Sequence, residues 1–458
     1  MKITVEELLN LSGGVLLTEN CNRKIKSVII DSRIPSSNSL FVPLKGENHD
    51  GHDFIESAVK NGSKCVFVEN EKYIDKNLDC EFILQKDNLK ALQQLATNYR
   101  KCLNIEVIAI TGSNGKTTTK DLIYSIFAKK YNTFKTQGNF NNEIGLPIML
   151  TRLESSHEVA VLELGMSNFG EIDFLANISK PDVGIITNIG ESHIEFLKTR
   201  EGIAKAKGEL LYNVDVEGKA ILNGDDPYLQ KMKNIHSNSW LYGFGKHNHL
   251  YAYDLKQTNE GVEFTVNGLG KNFSVWLPML GKHNVSNALA AILCALLHGL
   301  TEHEIKLGLN RLDMTGMRTE IIQSKNKKVK IISDCYNSSL TSTIAAINVL
   351  NDFKHSGRKI AVVGDMLELG DISKKAHIEA GEKVGESKVD MLIAIGRYAE
   401  DLAQGFNNKR GEKTLVFNET DYLLTKIKKY LREGDLILVK GSRGLKLERV
   451  VNFLREEF

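Results

Sequence analysis

The chain has 458 residues, 42% of them apolar, enough to pack about three domains of ordinary size. Lys and Arg total 59 against 57 for Asp and Glu, and the resulting net charge of +2 excludes a global electrostatic case for nucleic acid or an anionic membrane. The N-terminus, MKITVEELLN, carries acids where a signal peptide needs an unbroken apolar stretch, and Ala288 to Leu297 is far short of the roughly twenty residues that span a bilayer, so a cytoplasmic protein with no membrane partner is expected.

From Ser27 to Asn104, β-rich runs (SVII, SLFVPL, KCVFV, EFIL) alternate with helical stretches at Asp53 to Asn61 and Asp87 to Arg100, which predicts a small α/β domain over residues 1–104. A second domain is expected over residues 105–315. It opens on IEVIAITGSNGKTTT, Ile105 to Thr119, in which Val107 to Ile110 suits a buried strand, and Leu122, Ile123, Ile126 and Phe127 then recur on one helix face. The runs EVAVLELG (Glu158 to Gly165) and DVGIITNIG (Asp182 to Gly190) predict a parallel sheet covered on both faces. Over residues 316–458, KIAVVGD, DMLIAIG and DLILVKGS predict a second, Rossmann-like doubly wound sheet. The six cysteines (Cys21, Cys65, Cys80, Cys102, Cys294, Cys335) form no C-x-x-C pair and read as buried free thiols in a reducing compartment.

The glycine turn between that first strand and helix carries the strongest chemical signal. Gly112, Ser113, Asn114, Gly115, Lys116, Thr117 and Thr118 form a G-x-x-G-K-T loop, shorter than a strict Walker A. Glycines let backbone N–H groups converge on phosphate oxygens, Lys116 adds charge, and the Thr117 hydroxyl suits magnesium. ATP or GTP is the expected ligand. Beyond it, Glu163 is an acid inside an apolar strand, costly to bury unless a magnesium ion or a lysine pairs with it. His193 follows DVGIITNIGES, where a histidine is equally a hydrogen-bonded structural residue. Lys205 and Lys207 in IAKAKGEL fit the solvated face of a helix, and Asn141 and Asn142 in KTQGNFNNEIGLP fit either a turn or a substrate-orienting segment.

Together TGSNGKTTTK, GNFNNEIGLP, ELGMSNFGEI, TNIGESH, GIAKAKGEL, GKHNVSNALAA and KGSRGLKLE occur in the order of the Mur ligase family, which the chain resembles along essentially its whole length. The resemblance implies a three-domain α/β protein: a UDP-substrate domain, a central P-loop ATPase domain and a C-terminal Rossmann-like ligase domain. IDSR (Ile30 to Arg33), FVPLKGENHDGHDFI (Phe41 to Ile55) and VVGDMLELG (Val362 to Gly370) are most similar to the member that joins D-alanyl-D-alanine to UDP-N-acetylmuramoyl-tripeptide. By resemblance, Asp31, Ser32, Arg33 and Lys45 contact the UDP-muramoyl portion, Thr117 and Glu163 hold one magnesium, and His193 with Lys207, the position matching a lysine carbamylated in several relatives, belongs to a second metal or its surroundings. His283, Asn284 and Asn287 fall on the adenine side, although carboxamides there also suit helix caps. Arg318, Asp334, Tyr336, Asn337, Lys440 and Arg443 are expected at the interdomain cleft, gripping phosphate, ribose or dipeptide. One departure stands out: Ser338, Ser339 and Leu340 replace the usual Ala-Asn-Pro.

The implied reaction runs through an acyl phosphate made from ATP and a terminal carboxylate, which the dipeptide amine then attacks, with Lys116 and magnesium offsetting charge. No residue is assigned as general base. A monomer is expected. The alternatives are another ligase of the family adding a single amino acid, or a nucleotide-switch protein that makes no amide bond.

Overall fold

The structure is a computed structural model that describes residues 1–316, 320–411 and 414–458. Three large sheets organise it, beside a two-stranded pair of Ile3–Thr4 with Lys24–Ile25. The first takes β1 (Val15–Leu16), β2 (Ser27–Ile29), β3 (Ser39–Phe41), β4 (Ser63–Val68) and β5 (Glu81–Leu84) in the order β1-β5-β4-β3-β2, parallel except for β1. Helix α1 (Asn88–Lys101) buries Ala91, Leu92, Leu95, Ala96 and Tyr99, the stripe that a 3.6-residue period produces. That stripe belongs to a core shared with Val107, Ala109 and Leu162 of the next sheet, so the first unit is seated on the second through apolar contact.

The central sheet has nine strands: β6 (Glu106–Thr111), β7 (Thr133–Lys135), β8 (Val159–Glu163), β9 (Val183–Ile186), β10 (Lys219–Asn223), β11 (Ser239–Gly243), β12 (Leu250–Gln257), β13 (Val262–Gly268) and β14 (Lys271–Leu277), in the order β14-β13-β12-β11-β10-β9-β6-β8-β7. From β7 to β12 the pairing is parallel, as the apolar runs predict, but β12, β13 and β14 pair antiparallel and make the sheet mixed. The reason is local. β14 alternates buried and exposed residues, and Leu269 and Gly270 at the β13–β14 turn both have positive φ, the geometry of a two-residue hairpin.

Helix α2 (Lys116–Phe127) and the apolar α4 (Lys282–Leu297) pack together on one face of this sheet, while α3 (Arg200–Asn213) joins the core on the other face. The third sheet takes β15 (Glu320–Gln323), β16 (Lys330–Asp334), β17 (Lys359–Gly364), β18 (Met391–Ile395), β19 (Thr414–Phe417) and β20 (Leu436–Lys440), in the order β15-β16-β20-β17-β18-β19 and parallel apart from β15. α5 (Leu340–Asp352) begins at the seam between the second and third units.

Among the described residues no helix is long and apolar enough to cross a membrane. All six cysteines are free, but the expectation that they are buried holds for four. Cys102 caps the polar end of α1 and is exposed, and Cys21 lies half-buried in a turn.

Candidate functional site

β6 is flanked by β9 on one side and β8 on the other, so the chain reverses its direction of travel across the sheet at this strand. A crevice opens beyond its C-terminal end, where open α/β sheets bind ligands. The loop Gly112–Gly115 lies there and runs into the first turn of α2. Gly112 (φ 147°) and Gly115 (φ 81°) occupy backbone conformations that favour glycine, and a Cβ on either would strike Thr187 or Asn287. The loop is braced from the strand beside it. Asn114 N–H donates to Asn188 Oδ1 (3.0 Å), the Asn114 carbonyl accepts from Thr187 Oγ1 (2.6 Å) and Asn188 Nδ2 (2.9 Å), and Gly190 N–H donates to Ser113 Oγ (2.8 Å). Lys116 Nζ donates to the Gly112 carbonyl at 2.8 Å. Asn188 thus belongs to the site although no role was expected for it; its place one strand over from the loop is set by sheet order.

Glu163 ends β8, is buried, and has its charge met by donors. Thr117 Oγ1 donates to its Oε2 (2.7 Å) and Asn141 Nδ2 to its Oε1 (3.0 Å), while its own N–H donates to Thr136 Oγ1 (3.0 Å). A cavity of about 660 Å³ opens over this group and is lined by Ser113 to Thr118, Asn141, Asn142, Glu163, His193, His283, Asn284, Asn287, Asp334, Tyr336, Asn337 and Lys440. Gly112, Lys207 and Arg443 lie outside that lining, and Arg318 lies outside the described residues.

The two lysines of IAKAKGEL part company. They are two residues apart on α3, which puts them on different faces. Lys205 keeps to the surface over the Phe169 ring (5.9 Å), whereas Lys207 is 1% exposed, correcting the solvated-face reading. Among the described residues no hydrogen bond or ion pair reaches Lys207, and burial, reinforced by the charge of Lys116, holds its pKa well below the usual lysine value.

His193 has a left-handed backbone (φ 65°) and lies at the seam, with Nδ1 2.5 Å from Glu368 Oε2 of the third unit. No cluster of three or more His, Cys, Asp or Glu side chains suited to a metal occurs among the described residues.

α4 presents His283, Asn284 and Asn287 to the cavity. Its N-cap is Gly281, so the carboxamides do not cap: Asn284 Nδ2 donates to the Leu280 carbonyl (2.8 Å) and Asn287 Nδ2 to Asn284 Oδ1 (3.2 Å). Desolvation lowers the His283 pKa, with Asp334 opposing and Lys440 adding to the effect. From the third sheet, Lys440 Nζ lies 2.9 Å from Asp334 Oδ2 and donates to the Asn337 carbonyl (2.6 Å). Arg443 lies over the Tyr336 ring (5.8 Å). The Ser338-Ser339-Leu340 departure has a clear local result. Ser339 forms a capping box with Ser342 at the start of α5 and donates to Asn114 Oδ1 (3.1 Å), tying the third unit to the phosphate loop.

The N-terminal candidates line neither this cavity nor the smaller one that shares His193 and Asn337 with it. Arg33 donates to both carboxylate oxygens of Asp31 (2.9 and 2.7 Å), which holds the Asp31 pKa down at about 2. Ser32 is buried and its carbonyl accepts from Asn61, and Lys45 pairs with Glu69 (2.7 Å).

The sequence matches three domain families: "Mur ligase family, catalytic domain" over residues 24–109, "Mur ligase middle domain" over residues 110–295, and "Mur ligase, glutamate ligase domain" over residues 317–443. It is 41% identical over 459 residues to a UDP-N-acetylmuramoyl-tripeptide–D-alanyl-D-alanine ligase of Bacillus subtilis, covering 100% of this chain and 99% of that one. Among solved structures, MurF from Acinetobacter baumannii superposes with a TM-score of 0.89 at 31% identity, over 99% of both chains. MurF from Thermotoga maritima in complex with ADP superposes with a TM-score of 0.81 at 28% identity, over 94% of this chain and 97% of that one.

Proposed function

The chain belongs to the Mur ligase family, and from that premise we propose that it joins D-alanyl-D-alanine to UDP-N-acetylmuramoyl-tripeptide with ATP as the energy source. The products are UDP-N-acetylmuramoyl-pentapeptide, ADP and phosphate, a step in making peptidoglycan precursors. The observation that carries the reading is full-length similarity to ligases of this name, together with a braced phosphate loop whose cavity is closed over by the third sheet.

In this reading Gly112 to Thr118 cradle the ATP phosphates at the α2 N-terminus, and Lys116 offsets charge as the tripeptide carboxylate attacks the γ-phosphorus. Asn284, Asn287 and His283 face the base, Asp334 and Lys440 close on the ribose or phosphate side, and Arg318 joins them. Asn141, Asn142, Tyr336, Asn337 and Arg443 orient the peptide substrates, and Asp31, Ser32, Arg33 and Lys45 take the UDP-muramoyl end. The amine then attacks the acyl phosphate and phosphate departs. Closure of the third unit excludes water from that labile intermediate.

Thr117 Oγ1 and the Glu163 carboxylate are hard oxygen donors 2.7 Å apart, a fit to magnesium. Thr117 and Glu163 would hold the ion, and its positive charge would offset that of the ATP phosphates. Lys207 fits carbamylation, because burial lowers its pKa and favours the neutral amine that attacks carbon dioxide, and no counter-ion meets it among the described residues. The product would offer an oxygen donor near Lys116. Nucleotide-sugar and ATP substrates support the cytoplasm.

The test is phosphate release with magnesium-ATP and UDP-N-acetylmuramoyl-tripeptide, comparing D-alanyl-D-alanine, single amino acids and no amine, with product mass recorded. Release only with the dipeptide, and a pentapeptide product, is expected. Release with a single amino acid alone would move the step within the family.

A further inference from the structure

We propose that His377 is a positioning residue for the ligase reaction: as a neutral imidazole with its proton on Nδ1, it shapes the loop that carries Glu368 across the seam to His193. The inference rests on the reading of the chain as a ligase whose third unit closes over the phosphate site. His377 lies on α6 (Ser373–Glu386), is fully buried and lines neither the phosphate cavity nor the smaller one beside it, so it acts only through other residues. The loop is residues 365–370, which follow β17 and give Leu367, Glu368 and Leu369 to the lining of the smaller cavity.

The two ring nitrogens of His377 face backbone groups of opposite kind. Nδ1 is 2.6 Å from the Ser373 carbonyl, which can only accept, so Nδ1 carries a proton. Nε2 is 2.9 Å from the Met366 nitrogen, whose N–H can only donate, so Nε2 offers a lone pair. One tautomer alone satisfies both, and a second proton on Nε2 would be driven against the Met366 N–H. Further bonds set the loop: Leu367 N–H donates to Ser442 Oγ (3.0 Å), Ser442 N–H to the Asp365 carbonyl (3.0 Å), and Glu195 N–H to the Glu368 carbonyl (3.2 Å). Between them Glu368 takes a left-handed conformation (φ 62°), uncommon for a residue other than glycine and kept only where surrounding contacts over-determine it. Its Oε2 then stands 2.5 Å from His193 Nδ1. The surroundings of the imidazole favour its neutral form. It stacks on the Tyr398 ring (4.6 Å between centres), from whose centre the Arg397 guanidinium lies 5.5 Å away. Asp365 Oδ1 is 4.0 Å from Nε2, but that carboxylate already accepts from Arg397 N–H (2.8 Å) and Tyr398 N–H (2.9 Å), and Asp401 of α7 (Ala399–Arg410) adds its charge. Burial outweighs both acids and holds the His377 pKa below the ordinary 6.5. The neutral ring, and the loop with it, is therefore secure above pH 6.5 and is lost as pH falls through the depressed value.

The first readout is the NMR spectrum of the histidine side-chain nitrogens, in which the His377 signals are those missing from His377→Gln. Nδ1 is expected to be protonated and Nε2 bare at neutral pH; a proton on Nε2 overturns the proposal. The second is amide formation, followed by phosphate release across pH. His377→Leu, which has no acceptor for Met366, is expected to lose about 10- to 100-fold in kcat/KM. His377→Gln keeps an acceptor and recovers most of that loss. Having no ring to protonate, it declines less steeply than the wild type below pH 6.5. A fully active His377→Leu, or an acid decline in His377→Gln identical to the wild type's, overturns the proposal while the ligase reading stands. The glutamine variant and the spectrum decide even where the leucine variant does not fold. Wild-type protein that joins no amine to UDP-N-acetylmuramoyl-tripeptide overturns the ligase reading itself, and the role given to the loop with it.

Discussion

Lys120 and Lys207 are both buried near the phosphate site, and they differ in what surrounds the charge. Lys120 Nζ is 3.3 Å from Asp121 Oδ1 and donates to the Thr136 carbonyl (2.9 Å) and Thr315 Oγ1 (3.4 Å). Asp121 in turn meets Lys135 (3.2 Å) and accepts from Thr315 N–H (2.8 Å), which ties the end of the second unit to α2. Lys207 has no such partner among the described residues and faces the like charge of Lys116. Burial is common to both. The counter-ion separates a structural cation from an amine whose chemistry remains available.

The sharpest way to break this contrast is Lys207→Met. Loss of a group acting on transition-state charge is expected to slow amide synthesis by about 10²- to 10³-fold. Thermal stability should hold or rise, because an unpartnered buried amine is replaced by an apolar chain of similar length. Retained activity would remove Lys207 from the chemistry. Lys120→Met should do the opposite kind of damage, lowering the free energy of unfolding by about 3 kcal/mol in a denaturant titration as Asp121 loses one of its cations. Equal stability of the two variants would erase the distinction.

Thr136→Val tests the connection between the Lys120 network and the site. The Thr136 hydroxyl accepts from the Glu163 N–H, and its loss leaves a buried donor unmet, at about 1–3 kcal/mol of stability by the same titration. A neutral outcome would show that Glu163 keeps its place without the Thr136 hydroxyl. The smallest effect concerns a buried charge of the Lys120 kind. Desolvation opposes protonation of His298, but Cys294 and Glu106 (2.7 Å from its Nε2) outweigh it and raise its pKa above the ordinary 6.5. A raised histidine pKa stabilises the fold fully below pH 6.5 and loses that contribution as pH climbs through the folded value. His298→Gln should therefore flatten the alkaline decline in stability, by about 1 kcal/mol given the part-exposed Glu106. An unchanged slope would mean that His298 is neutral in the fold.

Much of the architecture was legible along the chain. The runs around Val107, Val161 and Ile185 became parallel strands, and the helix face of Leu122, Ile123, Ile126 and Phe127 became core, because apolar runs and a 3.6-residue period are local properties. The antiparallel β12–β14 ribbon was missed, although the alternation in KNFSVWL carried its signal. At the site, Thr117, Glu163 and Asn141 converge as the motifs imply. Asn188 and Glu368 had no distinguishing pattern, since one enters through strand order and the other through the packing of a distant loop against His193.

The sequence by itself determined the phosphate loop, the parallel strands that present it and the family to which the chain belongs, all carried by short contiguous patterns. Only the tertiary structure decided which lysine of IAKAKGEL is buried, which carboxylate meets His193 and which hydroxyl of the Ser338-Ser339 pair reaches Asn114. A side chain's dielectric surroundings and partners are set by residues far away in the chain, and no local period encodes them.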